Sequence, residues 1–167
     1  MKHLKLSLFI LLSFTVTCAF GAPTRFKSNI PIQIQSDSAS FEQLSHQATH
    51  VGNVVMTQGD HILHADKLTV KKDPKGDLTV LKATGNPATF SGQMESSPEP
   101  VFATAKIIYY YPDKQLIVLE GHATLDHQQD KFKGPMLSYQ LDKQVVSAAK
   151  QNNERPTITI QPRVSKL

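Results

Sequence analysis

The chain has 167 residues, 18 Lys and Arg against 14 Asp and Glu, and a formal net charge of +4. So mild a surplus gives no argument for nucleic acid, and a single cysteine excludes an intrachain disulfide framework. There is no tryptophan, and the apolar content is drawn from Ile, Leu, Val and Ala, residues that leave room for a strand-rich domain of ordinary size.

Lys2, His3 and Lys5 precede an apolar run from Leu6 to Phe20 and the small-residue pattern Ala19-Phe20-Gly21. This is the three-part pattern of a secretory signal. A membrane-spanning helix needs about 20 apolar residues, whereas this run is shorter and interrupted by Ser7, Ser13, Thr15 and Thr17. Residues 1–21 are therefore read as a cleaved signal, residues 22–29 as a short flexible lead, 30–162 as the domain and 163–167 as a tail. Acylation of Cys18 fits poorly, because Thr15 and Thr17 stand where lipoprotein processing wants Leu and a small residue. Cleavage after Gly21 or Ala22 leaves a net charge of about +2 and no thiol to carry into an oxidising compartment.

The domain opens at Ile30-Pro31-Ile32-Gln33-Ile34-Gln35, an alternation of apolar and polar residues that marks a half-buried strand. Pro31 lacks an amide donor and puts that strand at a sheet edge. The alternation recurs over 51–57, 61–64, 67–71, 78–83 and 88–90, then over 105–111, 116–119, 122–126, 131–133, 136–141 and 145–149, with a last strand at Thr157-Ile158-Thr159-Ile160. Gly59-Asp60, Asp73 to Asp77, Gly85-Asn86-Pro87, Pro112-Asp113-Lys114 and Asp142-Lys143 supply turn chemistry between them. Ser91 to Pro100 reads as a solvated loop. No window carries a 3.6-residue apolar repeat, so the fold class is all-β: a sandwich, jelly roll or barrel.

The chain also nearly repeats itself. Gly52-Asn53-Val54-Val55-Met56 is answered 69 positions later by Gly121-His122-Ala123-Thr124-Leu125, and the offset holds without a gap from Ser36–Val70 to Ala105–Tyr139. It pairs Phe41 with Tyr110, Met56 with Leu125, Leu63 with Phe132, Ala65 with Gly134 and Leu68 with Leu137. The domain is thus one supersecondary unit used twice.

No local signature of nucleophilic catalysis and no phosphate-binding loop is present, so an enzyme is not expected. His61 and His64 point to opposite faces of a strand and lack the companions a structural zinc requires; neither metal nor cofactor is expected. Lys67, Lys71, Lys72, Lys75 and Lys82 form a loosely basic region, read first as a solvated face.

Ile32-Gln-Ile-Gln-Ser-Asp37, Gly52-Asn-Val-Val-Met-Thr-Gln-Gly59 and Ala65-Asp-Lys-Leu-Thr-Val70 carry a more specific signal. With Gly85-Asn-Pro-Ala-Thr-Phe90, Ala105-Lys-Ile-Ile-Tyr-Tyr110 and Gly121-His-Ala-Thr-Leu125 in the same order and spacing, the chain resembles the LptA (OstA-like) family of periplasmic lipopolysaccharide-transport proteins. The resemblance covers roughly Ile30 to Pro162, and it departs from the family at Gly134-Pro135-Met136, where Gly-Asp-Lys is usual. Pro135 must therefore sit at a bulge or an unpaired site.

The resemblance implies a single antiparallel β-jelly roll, open along one seam, whose apolar interior holds the acyl chains of lipid A. It implies a periplasmic bridge that stacks head to tail between an inner-membrane transporter complex and an outer-membrane translocon. Ile32, Ile34, Phe90 and Tyr110 are then the expected lipid-facing residues, and Val54, Met56, Leu63, Leu68, Leu125 and Phe132 the wall. Ile30, Ile32 and Ile34 on one side and Thr157, Ile158, Thr159 and Ile160 on the other are the expected partner edges. Two other readings stay open: an anchored inner-membrane partner or translocon amino-terminal domain of the same fold, and a closed structural or carbohydrate-binding jelly roll filled with its own side chains.

Overall fold

A computed structural model describes residues 30–93 and 100–162. The expected signal, lead and tail, and the middle of the expected 91–100 loop, lie outside these residues. Among the described residues ten strands make one antiparallel sheet. They are β1 (Gln33–Gln35), β2 (Ser38–Glu42), β3 (Gln47–Gln58), β4 (His61–Lys72), β5 (Leu78–Gln93), β6 (Pro100–Tyr111), β7 (Leu116–His127), β8 (Asp130–Gln140), β9 (Val145–Ala149) and β10 (Thr157–Thr159). A 3-10 turn, Pro112–Lys114, joins β6 to β7.

The strands pair in the order β1-β3-β4-β5-β6-β7-β8-β10, with β2 also on β3 and β9 also on β8. Among the described residues the two ends of this order do not pair with each other, so the sheet stays open. A closed barrel is thereby set aside.

What shapes the sheet is a line of bulges running across it. Between β3 and β4 the register jumps from Val51↔Lys67 to Val54↔Ala65, placing Gly52 and Asn53 against Asp66 alone. Between β7 and β8 it jumps from Glu120↔Met136 to Ala123↔Gly134, placing Gly121 and His122 against Pro135 alone. Comparable jumps occur between β4 and β5 past Gly85-Asn86-Pro87, between β5 and β6 past Lys106, and between β6 and β7. An extra residue bends a strand sharply. Aligned from β3 to β8, the bulges fold one sheet over on itself as two facing layers.

The sequence runs that were broken at Gly85-Asn86-Pro87, at Ala65-Asp66 and at Glu120-Gly121 are therefore single strands, not pairs of strands separated by turns. The bulge interrupts the alternation without ending the ladder. Pro135 sits opposite the Gly121-His122 bulge and so occupies a gap in the ladder, where its missing amide costs nothing.

Positive φ explains the residue types at the fold line: Gly52 +82°, Asn53 +45°, Gly121 +79° and His122 +51°. Asn53 Nδ2 donates to Asp37 Oδ2 at 2.9 Å and the Asp37 amide donates to the Gly52 carbonyl at 2.9 Å. These bonds tie the corner between β1 and β2 to the bulge beside it.

The 69-residue offset survives in the register itself. Ile34↔Met56 corresponds to Ala103↔Leu125, Ala39↔His50 to Ile108↔Leu119, Phe41↔Ala48 to Tyr110↔Ile117 and Gln47↔Lys71 to Leu116↔Gln140. β1 and β2 together are thus the first copy of β6, broken at the bend. The repeat has a further member, because Leu63↔Phe90 corresponds to Phe132↔Ile158 and Leu68↔Ala83 to Leu137↔Ala148. β9 and β10 together are the second copy of β5, broken in the same place. Each half of the molecule is four strands wide, and the halves join at β5 and β6.

Small side chains line the inside of the fold: Ala65, Ala88, Ala105 and Ala123 are 8% exposed or less. Alanine lets the two layers approach closely there. Leu68, Leu119 and Leu137, the next residues inward on the other layer, are fully buried and close the angle by packing at interior density.

Replacing Gly121 by alanine is expected to cost on the order of 1–2 kcal/mol for its left-handed backbone alone. A Cβ there also meets Lys106 Cβ and Cδ at 3.0 Å, whereas one at Gly76 (φ +89°) meets nothing within 4 Å. Gly121→Ala should therefore lower the urea midpoint more than Gly76→Ala, with the m-value unchanged.

Candidate functional site

The interior is organised as rows of directly paired residues that cross the sheet from one edge to the other. In the layer containing β1 and β10 the row reads Ile34, Met56, Leu63, Phe90, Ala103, Leu125, Phe132, Ile158, each the register partner of the next. All eight are apolar. Directly opposed residues share a face, so this is a continuous apolar track perpendicular to the strands, roughly 34 Å long at the usual strand spacing.

The facing layer carries the matching row Phe41, Ala48, Val70, Leu81, Tyr110, Ile117, Tyr139, Val146. A third row, Ala39, His50, Leu68, Ala83, Ile108, Leu119, Leu137, Ala148, runs beside it nearer the bend. His50 is its one polar member, and its Nδ1 lies 3.1 Å from the Ser36 hydroxyl.

These rows show where each sequence-predicted residue stands. Ile34, Met56, Phe90, Leu125 and Phe132 fall on the first row together with Leu63, and Tyr110 faces them from the second. Val54 and Leu68 lie nearer the bend and are fully buried, so they are wall rather than open surface. Met56 and Leu125 are buried to 6% and 4% exposure, while Ile34, Phe90, Tyr110 and Phe132 are half-buried against the core. Ile32 is just outside β1, and Ile30 and Ile160 likewise flank the edge strands rather than belonging to them. Both edge strands are shorter than the sequence pattern suggests. Pro31 precedes β1, and Thr157, Ile158 and Thr159 make all of β10, with Ile158 52% exposed.

Between the two layers, at the amino-terminal edge, Ile32, Ile34, Ala48, Val70, Leu78 and Leu81 enclose a cleft of about 350 Å³ with Lys72 at its side. Ile32 and Ile34 were expected to face lipid; Val70, Leu78, Leu81 and the mate row's Ile117, Tyr139 and Val146 were not singled out. Their signal was present in the offset, which equates Val70 with Tyr139. Of the five lysines read as a basic region only Lys72 borders the cleft. Lys82 instead lies over the Tyr109 ring at 5.4 Å on the outer face, where Tyr109 and Tyr111 stack with centroids 6.0 Å apart.

A track of this kind has no chemistry of its own to offer. It carries no cluster of acidic, histidine or cysteine ligands among the described residues. What it provides is an apolar surface continuous in one direction.

Comparison with known proteins identifies the family of the chain. Residues 33–145 match the family described as LptA/(LptD N-terminal domain) LPS transport protein. The chain belongs to this family. Its function is transport of lipopolysaccharide, not catalysis. The chain is 34% identical to the lipopolysaccharide export system protein LptA of Escherichia coli K12 over 134 residues, 79% of this chain and 71% of that one. It is 27% identical to LptA of Haemophilus influenzae over 157 residues, 92% and 91% of the two chains. The crystal structure of LptH, the LptA homologous periplasmic component of the lipopolysaccharide transport device of Pseudomonas aeruginosa, superposes with a TM-score of 0.73 at 27% identity. That match covers 80% of this chain and 96% of that one. The open jelly roll implied by the sequence resemblance is thus the fold of this LptA-like chain. No helix among the described residues is long and apolar enough to cross a membrane.

Burial pushes the hydroxyls of Tyr110 and Tyr139 above the ordinary phenol range. Because the folded state holds them neutral, the stability they contribute is intact below about pH 10 and is lost as pH rises through the raised values. Absorbance titration should find these two phenols ionising later than free tyrosine, and Tyr110→Phe should shrink the loss of urea midpoint above about pH 10.

Proposed function

We propose that the chain is a periplasmic carrier that holds the acyl chains of lipid A against its interior rows and hands lipopolysaccharide on through a head-to-tail array. One observation carries this reading: an apolar track, part of a member of a lipopolysaccharide-transport family, that runs unbroken between two strand edges without closing. The relatives matched over most of their length are export-system proteins named LptA, and the solved relative is titled a periplasmic component, which favours a carrier over an anchored partner or a translocon domain.

The energetics fit the task. Each methylene removed from water is worth about 0.8 kcal/mol, so an acyl chain of about a dozen carbons gains on the order of 10 kcal/mol in a dry groove. Desorption through water would then be far too slow for transport. Sliding along a row of near-equivalent side chains keeps the chain buried throughout and removes that barrier. The sequence carries no phosphate-binding loop, and this reading assigns direction to the inner-membrane transporter complex, with the outer-membrane translocon as the sink.

Ile32, Ile34, Phe90 and Tyr110 are the residues assigned to lipid contact, with Val54, Met56, Leu125 and Phe132 as the wall behind them. Edge strands with unpaired amides and carbonyls add to other sheets, and a heterologous contact of that kind grows arrays. Residues 1–21 serve as the export signal under this reading.

A photo-crosslinker at Phe90 is expected to capture lipopolysaccharide in cells, and purified protein should bind intact but not deacylated lipopolysaccharide. Capture at an outer-face position such as Thr89 with none at Phe90 would reverse the assignment. Ile158→Pro is expected to abolish concentration-dependent self-association while leaving the monomer folded; unchanged sedimentation would refute the edge contact.

A further inference from the structure

The internal repeat supplies its own control for what the fold requires. On the inward face of the layer that holds Tyr110 the two copies keep size and polarity, Phe41 being answered by Tyr110 and Leu68 by Leu137. On the outward face of the same layer they do not. Ser38, Ser40, Glu42, Gln47 and Thr49 of the first copy are answered by Ile107, Tyr109, Tyr111, Leu116 and Val118, and Ser45 by Lys114. Lys82, opposite Thr69, has Ser147, opposite Ser138, as its counterpart. The same backbone is thus built with small polar groups at one set of these places and with aromatic and cationic groups at the other.

Lys82, Tyr109, Tyr111 and Lys114 form one stack on that outer face. The two rings lie 6.0 Å apart with 10° between their planes. Lys82 Nζ is 5.4 Å from the Tyr109 centroid and Lys114 Nζ 5.3 Å from that of Tyr111, within cation–π range. Because ring faces are taken up by each other and by the lysines, the set presents outward two phenol hydroxyls and two ammonium groups, all able to donate hydrogen bonds. Among the described residues the ion pairs are His61–Asp60 and Lys131–Asp126; Asp113 and Glu120 pair with neither lysine of the stack.

Lys114 is held at the free margin of its layer, away from the line of bulges. It closes the 3-10 turn between β6 and β7, its carbonyl accepts from Gln140 Nε2 at 2.6 Å, and the Gln115 amide donates to the Pro112 carbonyl at 3.0 Å. Tyr110 and Tyr111 are neighbours in the chain, so the inward apolar row and the outward donors meet at this one margin.

The geometry points to this stack as a second subsite, for the phosphorylated sugar portion of the same lipopolysaccharide whose acyl chains lie in the interior. It rests on the carrier reading above and deepens it by naming what holds the headgroup. Phosphate oxygens bind most strongly to charged donors. Four donors in a row with a cation at each end, and no carboxylate paired with either cation, supply that chemistry. The row begins at the margin over which a headgroup leaves an apolar interior.

Affinity is measured for intact lipopolysaccharide, for the same lipopolysaccharide stripped of phosphate by hydrofluoric acid, and for its deacylated, phosphorylated oligosaccharide. Lys82→Gln with Lys114→Gln is expected to weaken binding of the intact form about tenfold, less in high salt, and to leave the dephosphorylated form unchanged. Tyr109→Phe with Tyr111→Phe keeps the rings and removes only the hydroxyls; it should weaken the intact form about threefold with the urea midpoint unchanged. Equal losses for the intact and dephosphorylated forms, or no loss, overturn the subsite, and a phenylalanine variant that binds as the parent does overturns the four-donor set. Binding to anionic phospholipid vesicles that the lysine changes abolish, with lipopolysaccharide affinity intact, gives the surface to a membrane and overturns it as well. A parent that binds the deacylated oligosaccharide as tightly as the intact lipid, both weakened by the lysine changes, overturns the acyl-chain reading while the stack stands. A parent that binds neither overturns both.

Discussion

A sheet of this width has to bend to cover an apolar face, and it does so here by skipping residues at one level in every long strand. Everything else follows from that line of bulges. It converts a single antiparallel sheet into two facing layers. Ala65, Ala88, Ala105 and Ala123 beside it are small and buried, and the larger Met56, Leu63, Phe90, Leu125 and Phe132 follow further along the same layer. Asn53 and His122 take positive φ at the same point in the two copies, which is why the sequence repeat is clearest at Gly52-Asn53 and Gly121-His122.

Bending without closure is what separates a carrier from a structural module. In a barrel the first and last strands pair and the interior must be filled by fixed side chains. Here the outermost strands are broken at the bend into β1 with β2 and β9 with β10, short pieces that pair on one side only among the described residues. The interior is dense near the fold line, where Leu68, Leu119 and Leu137 are fully buried. Toward the amino-terminal margin it loosens into a cleft lined by Ile32, Ile34 and Leu81. A hydrocarbon chain needs no directional contacts, only removal of its surface from water, so a row of interchangeable apolar residues suffices to bind it and also lets it move.

The same repeat that builds the interior explains the edges. A molecule made of two four-strand units carries at each end half of the junction that lies at its centre. Open edges are ordinarily a hazard, and their brevity here, three and five residues on each side, limits what can pair with them.

Much of this was legible in the residues. The period-2 alternation marked the half-buried strands, the offset equated the two halves, and turn residues at Gly59-Asp60 and Pro112 to Lys114 marked true reversals. Gly85-Asn86-Pro87 misled, because the chemistry that makes a turn also makes a bulge, and local sequence does not record whether the ladder resumes beyond it. Ser38–Glu42 went unread as a strand, since Ser-Ala-Ser-Phe-Glu alternates weakly; only the pairing of Phe41 with Tyr110 betrayed it. Composition and periodicity therefore determined that the chain is a twice-used β unit with an apolar face, because those properties reside in neighbouring residues. Which apolar residues line up as rows, and that the sheet bends yet stays open, only the tertiary structure decided, because register between strands is set by contacts among residues far apart in the chain.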